Sequence, residues 1–324
     1  MKKARKQYIE SCEVSEVITV NLGGFSQKIA IEGKTRDLPV VICLHGGPGS
    51  PVPFSVGVRG LFPEWTNRAV MVYWDQLGCG INNRKIDDSF SIDSFVQMTC
   101  DLVGVIKNRF PQNKIYLFGV SWGSILALKT ALSIPESLSG AVVYGQFLES
   151  NFFSEEVAAA FAAAPEKVQN QVKAIVKTGA DTDYKILDKN LKKLFHYLNQ
   201  YTNAYENKNA EPAKVGEIIK GLLTSPDYRF RDFMAVVKNG YQGNTSLWGE
   251  LVKIHLAPCL AQLKRPDVIL QGDTDIVTST AFVTQAVQSC GNENVSVKTV
   301  KDSGHIPSNA AMTEVFYALL ELIK

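Results

Sequence analysis

The stretch that decides the fold is Lys114-Ile115-Tyr116-Leu117-Phe118-Gly119-Val120-Ser121-Trp122-Gly123-Ser124-Ile125-Leu126-Ala127-Leu128-Lys129. It opens with a short apolar run of strand type, residues 115–118, passes through Gly-x-Ser-x-Gly and continues as an apolar helical segment. A serine on so sharp a strand-to-helix turn projects beyond the end of a sheet, where its hydroxyl can meet a base and a substrate. Gly119 and Gly123 suit the positions around it, because the turn leaves no room there for bulky side chains. The pentapeptide alone is a weak signal: a random chain of this length contains it about one time in ten. The strand before it and the helix after it are the context that gives it meaning.

Working outward, the same alternation recurs. Pro39-Val40-Val41-Ile42-Cys43-Leu44 is a continuous apolar run of the kind buried on both faces of a sheet, and it ends in the turn cluster His45-Gly46-Gly47-Pro48-Gly49-Ser50-Pro51. Residues 69–74 form a second such run and stop at Asp75-Gln76-Leu77-Gly78-Cys79-Gly80. Residues 140–144, 267–271 and 295–300 read as further strands, and residues 16–21 and 25–31, split by Gly23-Gly24, as an antiparallel hairpin at a sheet edge. Helical spacing of Ile92, Phe95, Val96, Leu102, Val103 and Ile106, with Pro111 beyond, predicts a helix over 91–109, and another is expected from about 311 to 324. Between about 149 and 258 the chain turns helix-rich, with Lys and Asn clusters and no convincing buried strand. The expected fold is therefore α/β: a mostly parallel central sheet with helices on both faces and an inserted helical cap. The expected division is a core over 1–148, the cap over 149–257 and the rest of the core over 258–324. In such sheets ligands sit beyond the carboxyl ends of the strands. Every unusual loop of this chain follows a predicted strand.

Composition narrows the function classes. With 324 residues, 45% hydrophobic and 20% charged, the chain can bury a substantial core. A net charge of +2 gives no electrostatic case for nucleic acid or an anionic membrane as partner. The basic start Lys2-Lys3-Ala4-Arg5-Lys6 is followed by no apolar region of signal-peptide type, and no apolar run reaches membrane-span length, so a cytoplasmic protein is expected. Cys12, Cys43, Cys79, Cys100, Cys259 and Cys290 lack metal-site spacing, so idle thiols are expected, with neither a metal nor a cofactor.

A serine nucleophile needs a base for its proton and a third group to orient that base. His305, in Lys301-Asp302-Ser303-Gly304-His305-Ile306-Pro307, directly follows the last strand and is the candidate base; His196 and His255, inside the helical insertion, read as surface decoration. The acid is expected in Gly272-Asp273-Thr274-Asp275-Ile276-Val277, with Asp275 preferred over Asp273 for its place three residues after the glycine. The order Ser121, Asp275, His305 suits a strand-turn-helix nucleophile. A tetrahedral oxyanion needs backbone N–H donors, expected from Trp122 and from the glycine loop, with Gly47 preferred and Gly46 the alternative. His45 is expected to hold that loop rather than act as a base.

Taken together, His45-Gly46-Gly47-Pro48-Gly49, Asp75-Gln76-Leu77-Gly78-Cys79-Gly80, Gly119-Val120-Ser121-Trp122-Gly123-Ser124, Gly272-x-x-Asp275 and Gly304-His305 resemble the proline iminopeptidase-like branch of the α/β-hydrolase superfamily. The resemblance covers roughly residues 15–148 and 258–324. It implies a metal-free serine hydrolase that releases N-terminal residues from short peptides through an acyl-enzyme, under a helical cap whose carboxylates hold the substrate's free amine. Gly46, Glu149 and Glu250 are the substrate-binding residues this would single out, with Glu155, Glu156 and Glu206 also available as amine ligands. The insertion departs from the branch: in place of its tryptophan- and glutamate-rich cap segment stands only Leu247-Trp248-Gly249-Glu250. Relatives with this core also include esterases and amidases, so the expected partner is a small molecule or a short peptide.

Overall fold

Runs of Val, Ile, Leu and aromatic residues too short for buried helices become the central strands of one sheet. The computed structural model describes residues 3–180, 183–211, 214–241 and 244–324. In chain order its elements are α1 (Lys3–Ser11), β1 (Val14–Leu22), β2 (Phe25–Gly33), β3 (Val40–Leu44), α2 (Pro63–Thr66), β4 (Val70–Trp74), α3 (Ile92–Arg109), β5 (Ile115–Val120), α4 (Trp122–Ser133) and β6 (Gly140–Tyr144). Six helices follow: α5 (Glu155–Ala159), α6 (Glu166–Thr178), α7 (Tyr184–Tyr201), α8 (Val215–Leu223), α9 (Phe230–Val237) and α10 (Ser246–Leu251). The chain then resumes the alternation with β7 (Asp267–Gly272), α11 (Thr280–Ser289), β8 (Val295–Val300) and α12 (Asn309–Leu322).

The sheet order is β1-β2-β4-β3-β5-β6-β7-β8. The β1–β2 and β2–β4 pairs are antiparallel, and all pairs from β4 to β8 are parallel. Leu22 pairs with Phe25, so Gly23 and Gly24 form a two-residue hairpin loop, with φ of +58° and +81°. Every residue of β3, β4 and β6 is buried, which is why those strands read as continuous apolar runs rather than alternating ones. Going from β3 the chain crosses first to one side, β4, and later to the other, β5. The loops after β3 and β5 therefore flank the switch point where such sheets bind ligands. Helix α3 starts at an N-cap, Ser91, whose hydroxyl accepts from Ser94 N. No helix among the described residues is long and apolar enough to cross a membrane, and all six cysteines are unpaired.

Two features lay outside the sequence reading. Residues 3–11, read only as a basic start, form α1, and Arg5 is buried there. Its guanidinium donates to the carbonyls of Arg59 at 2.7 Å, Gly57 at 2.8 Å and Gly221 at 2.7 Å. The N-terminal helix is thereby tied to both the core and the end of α8. The second is Asp267, at the end of the sheet opposite the nucleophile. Its Oδ1 has no hydrogen-bond partner among the described residues, and burial pushes its carboxyl up to about 7. Between about pH 4 and pH 7 the unfolded chain ionises at this position while the folded chain holds the proton, so stability falls as pH rises through that window. Asp267→Asn removes the penalty. The variant is expected to melt several degrees above wild type at pH 8 and close to it at pH 4, by calorimetry; equal melting temperatures at pH 8 would refute the assignment.

Candidate active site

Ser121 sits between β5 and α4 with φ 51° and ψ −117°, a conformation that L-residues rarely adopt. The surroundings hold it there. Ser121 N donates to Tyr144 O on β6 at 3.0 Å, and Ser124 Oγ donates to Ser121 O at 2.6 Å while accepting from Phe147 N at 2.8 Å. The flanking glycines are sterically required. A Cβ on Gly123 would lie 1.9 Å from Leu44 O, and one on Gly119 would lie 2.8 Å from Gly123 O.

His305 and Asp275 arrive on the loops after β8 and β7. Ser121 Oγ is 3.0 Å from His305 Nε2, and His305 Nδ1 is 3.0 Å from Asp275 Oδ2. Asp275 Oδ2 also accepts from the Thr278 hydroxyl at 2.6 Å, and Oδ1 accepts from the amides of Val277 at 2.8 Å and Thr278 at 3.1 Å. With the carboxylate as acceptor, His305 Nδ1 carries the proton and Nε2 is left to accept from Ser121. Asp273 lies elsewhere: its Oδ1 accepts from Ser303 N at 3.0 Å and so braces the turn that carries His305. The Tyr144 hydroxyl bonds the same turn, with Ser303 Oγ at 2.7 Å and Gly304 O at 2.6 Å.

The helical insertion reaches this turn directly. His305 N donates to Ala204 O at 2.9 Å, Ile306 N to Tyr205 O at 2.7 Å, and Thr274 Oγ1 to Asn203 O at 2.7 Å. Gly304 allows the approach, since a Cβ there would stand 2.8 to 3.0 Å from the carbonyl oxygens of residues 203–205. None of these contacts, nor that of Thr278, was visible in the sequence. A threonine three residues past an acid and a loop after a long helix carry no signal of their own.

The loop after β3 closes the other side. A Cβ on Gly46 would lie 3.6 Å from Ser121 Cβ, and Gly47 has φ +122°. Gly46, Gly47, Ser121, Trp122 and His305 border one cavity, so the structure brings these sequence-picked residues together. His45 is buried, and its Nε2 accepts from Gln76 N at 3.0 Å, which leaves Nδ1 to donate to Gly46 O at 2.9 Å. Burial pushes its imidazole down to about 4, so it stays neutral and acts as a strut. The Gln76 side chain joins the two halves of the site: it donates to His45 O at 3.1 Å and accepts from the Trp122 indole at 2.8 Å. Asp75 is buried beside it, accepting from Val56 N, Ile81 N and the Tyr228 hydroxyl, and burial pushes its carboxyl up to about 6.

The cavity measures about 1260 Å³. Its lining includes Phe147, Phe152, Phe195, Tyr205, Trp248 and Leu251, an aromatic and aliphatic group. Two expected amine ligands fall outside it. Glu149 pairs with His255 at 3.0 Å on an exposed bridge, and Glu250 Oε2 accepts from Ile92 N at 2.8 Å, serving the start of α3. Neither carboxylate borders the cavity; among the described residues those that do are Glu64 and Glu217. The cations bordering it are Arg5, Lys192, Lys214 and Lys220.

A mostly parallel sheet with a strained serine after β5, and a histidine and an aspartate on loops that reach it, defines a class of fold. The chain belongs to the α/β hydrolase fold family, whose model matches residues 39–308. It is similar to the probable aminopeptidase YbaC of Bacillus subtilis (strain 168), with 34% identity over 120 residues, 36% of this chain and 37% of that one. It is also similar to the proline iminopeptidase of Thermoplasma volcanium, with 30% identity over 144 residues, 44% of this chain and 46% of that one. The match thus spans less than half the length of each of these two curated relatives. Among solved structures, the proline iminopeptidase of Mycobacterium smegmatis superposes with a TM-score of 0.63 at 15% identity, covering 95% of this chain and 97% of that one. The naproxen esterase of Bacillus subtilis superposes with a TM-score of 0.55 at 12% identity, covering 99% and 96%. At such identities the shared property is the fold.

Proposed function

We propose that this chain is a serine hydrolase that cleaves small esters or amides with an apolar acyl group through an acyl-enzyme. The observation that carries the reading is the unbroken relay from Ser121 Oγ through His305 to Asp275, each link at 3.0 Å. Ser121 Oγ attacks the substrate carbonyl carbon and passes its proton to His305 Nε2. Asp275 stabilises the imidazolium, and the amides of Gly47 and Trp122 receive the oxyanion. Collapse expels the alcohol or amine with the proton from His305. A water activated by the same nitrogen then releases the acid. Residues 149–257 act as the cap that walls the acyl side with Phe152, Phe195, Tyr205, Trp248 and Leu251. That lining supports the apolar acyl group. A cavity bordered by more cations than carboxylates is a poor host for a free ammonium.

A second reading, an aminopeptidase acting on short peptides, is supported by the likeness to the probable aminopeptidase and the proline iminopeptidase. A panel of prolyl and alanyl arylamides alongside short and medium acyl esters separates the two. Esters turning over faster, with no gain from a free amine, is the expected result. An absolute requirement for the free amine would replace the first reading with the second.

A further inference from the structure

The outer side of α8 and α9 carries a surface that the hydrolytic machinery does not use. Of the seven large hydrophobic residues exposed among the described residues, five fall within it: Ile219, Leu223, Phe230, Met234 and Val237, with Phe230 71% and Val237 70% exposed. Their spacing is i, i+4 on α8 and i, i+4, i+7 on α9, so each set forms one stripe, while Leu222 and Ala235 face inward. Single exposed apolar residues need no explanation, but exposed apolar stripes on two successive helices mark a contact surface.

The charges around it name the partner. Over residues 214–238 the exposed cations are Lys214, Lys220, Arg229, Arg231 and Lys238, and Glu217 is the exposed carboxylate; Lys214, Lys220 and Glu217 also border the cavity, while Arg229, Arg231 and Lys238 do not. Asp227 is engaged by Arg59 at 2.6 and 2.8 Å, and the buried Asp232 accepts from Arg229 N at 2.9 Å and lies 3.5 Å from Nε of Arg231, whose side chain is otherwise exposed. A net charge of +2 for the whole chain, which by itself gives no electrostatic case for an anionic membrane, averages this concentration away. A two-fold dimer through this face would set its cations against their own copies. Apolar stripes bordered by Lys and Arg are the composition of helices that lie in a lipid–water interface. Helix α8 also walls the cavity, since Ile218, Lys220 and Gly221 border it.

We propose that the α8–α9 face docks on an anionic lipid surface, with the apolar stripes entering the headgroup–acyl boundary and the cations meeting lipid phosphates. Docking would set the mouth of the cavity beside the lipid phase, from which an apolar acyl substrate could pass to Ser121 without crossing water. The test is co-sedimentation with vesicles of phosphatidylglycerol and phosphatidylcholine in equal parts, against vesicles of phosphatidylcholine alone. It is run on wild type and on Ser121→Ala, so that binding is read without hydrolysis. Binding to the anionic vesicles only, weakened by salt, is expected. Arg231→Ala with Lys238→Ala should weaken it about fivefold for each cation removed, and Phe230→Ser with Val237→Ser should abolish it. Both double variants should keep the wild-type melting temperature and the wild-type turnover of a soluble short ester. Absence of binding to the anionic vesicles overturns the proposal, as does binding that the double variants leave unchanged. A concentration-dependent dimer dissolved by the same substitutions would assign the face to a second copy instead. Because vesicle binding needs no turnover, its failure leaves the serine-hydrolase reading standing.

Discussion

Ser121→Ala is expected to lower kcat/KM on any acyl substrate by about 10⁶-fold, the loss that follows when the nucleophile of such a relay is removed. The geometry makes the size of the effect specific. Ser121 Oγ is the atom His305 Nε2 meets, and the turn around it is fixed by Tyr144 O, Ser124 and two glycines, so no neighbouring hydroxyl can take its place. Alanine removes one oxygen and leaves the backbone pattern intact. The variant should fold, and the strained φ should cost it no more than it costs wild type. Residual hydrolysis over water would come from the oxyanion donors alone. Labelling by a fluorophosphonate probe should be complete in wild type and absent in the variant. Turnover retained at the wild-type rate would remove Ser121 from the mechanism.

Asp275→Asn should cost about 10⁴-fold in kcat with little change in fold. The carboxylate accepts four hydrogen bonds, two at each oxygen. An asparagine keeps the oxygen that the amides of Val277 and Thr278 need, so its amide nitrogen turns toward His305 Nδ1 and the Thr278 hydroxyl. The imidazole must then present Nδ1 as an acceptor and carry its proton on Nε2, the nitrogen that should receive the proton from Ser121. The expected signature is a collapse of kcat with KM and melting temperature nearly unchanged. Asp273→Asn, at the residue that braces the turn at Ser303, should lose far less activity. The reverse ranking would exchange the roles of the two aspartates.

Much of this architecture was legible because it rests on local rules. Strands buried on both faces advertise themselves as apolar runs, as residues 40–44 and 70–74 do. A glycine loop after each such run marks the sheet edge where ligands gather. That Ser121, Asp275 and His305 come together was readable because each follows a strand on the same side of the sheet. The amine ligands were not. Glu149 and Glu250 each look like a carboxylate on a helical insertion, and which way such a side chain faces is set by how the helices pack. One ended in an exposed pair with His255 and the other on the backbone of α3. Arg5 was hidden for the opposite reason. A cation near the N-terminus reads as solvated, yet three carbonyls contributed by distant segments hold it inside.

The hydrogen bonds from His305 N and Ile306 N to the carbonyls of Ala204 and Tyr205 bear on how this scaffold can be re-engineered. The helical insertion between β6 and β7 adds no strand to the sheet, which makes it a natural place for exchange. Here the insertion supplies the backbone acceptors that fix the turn carrying His305, and it does so through carbonyls, which a residue of any type in the same conformation would provide. A graft that replaces the pocket while keeping residues 203–205 in place should change selectivity and preserve the rate. A graft that cuts through them should yield a folded core whose imidazole no longer meets the serine.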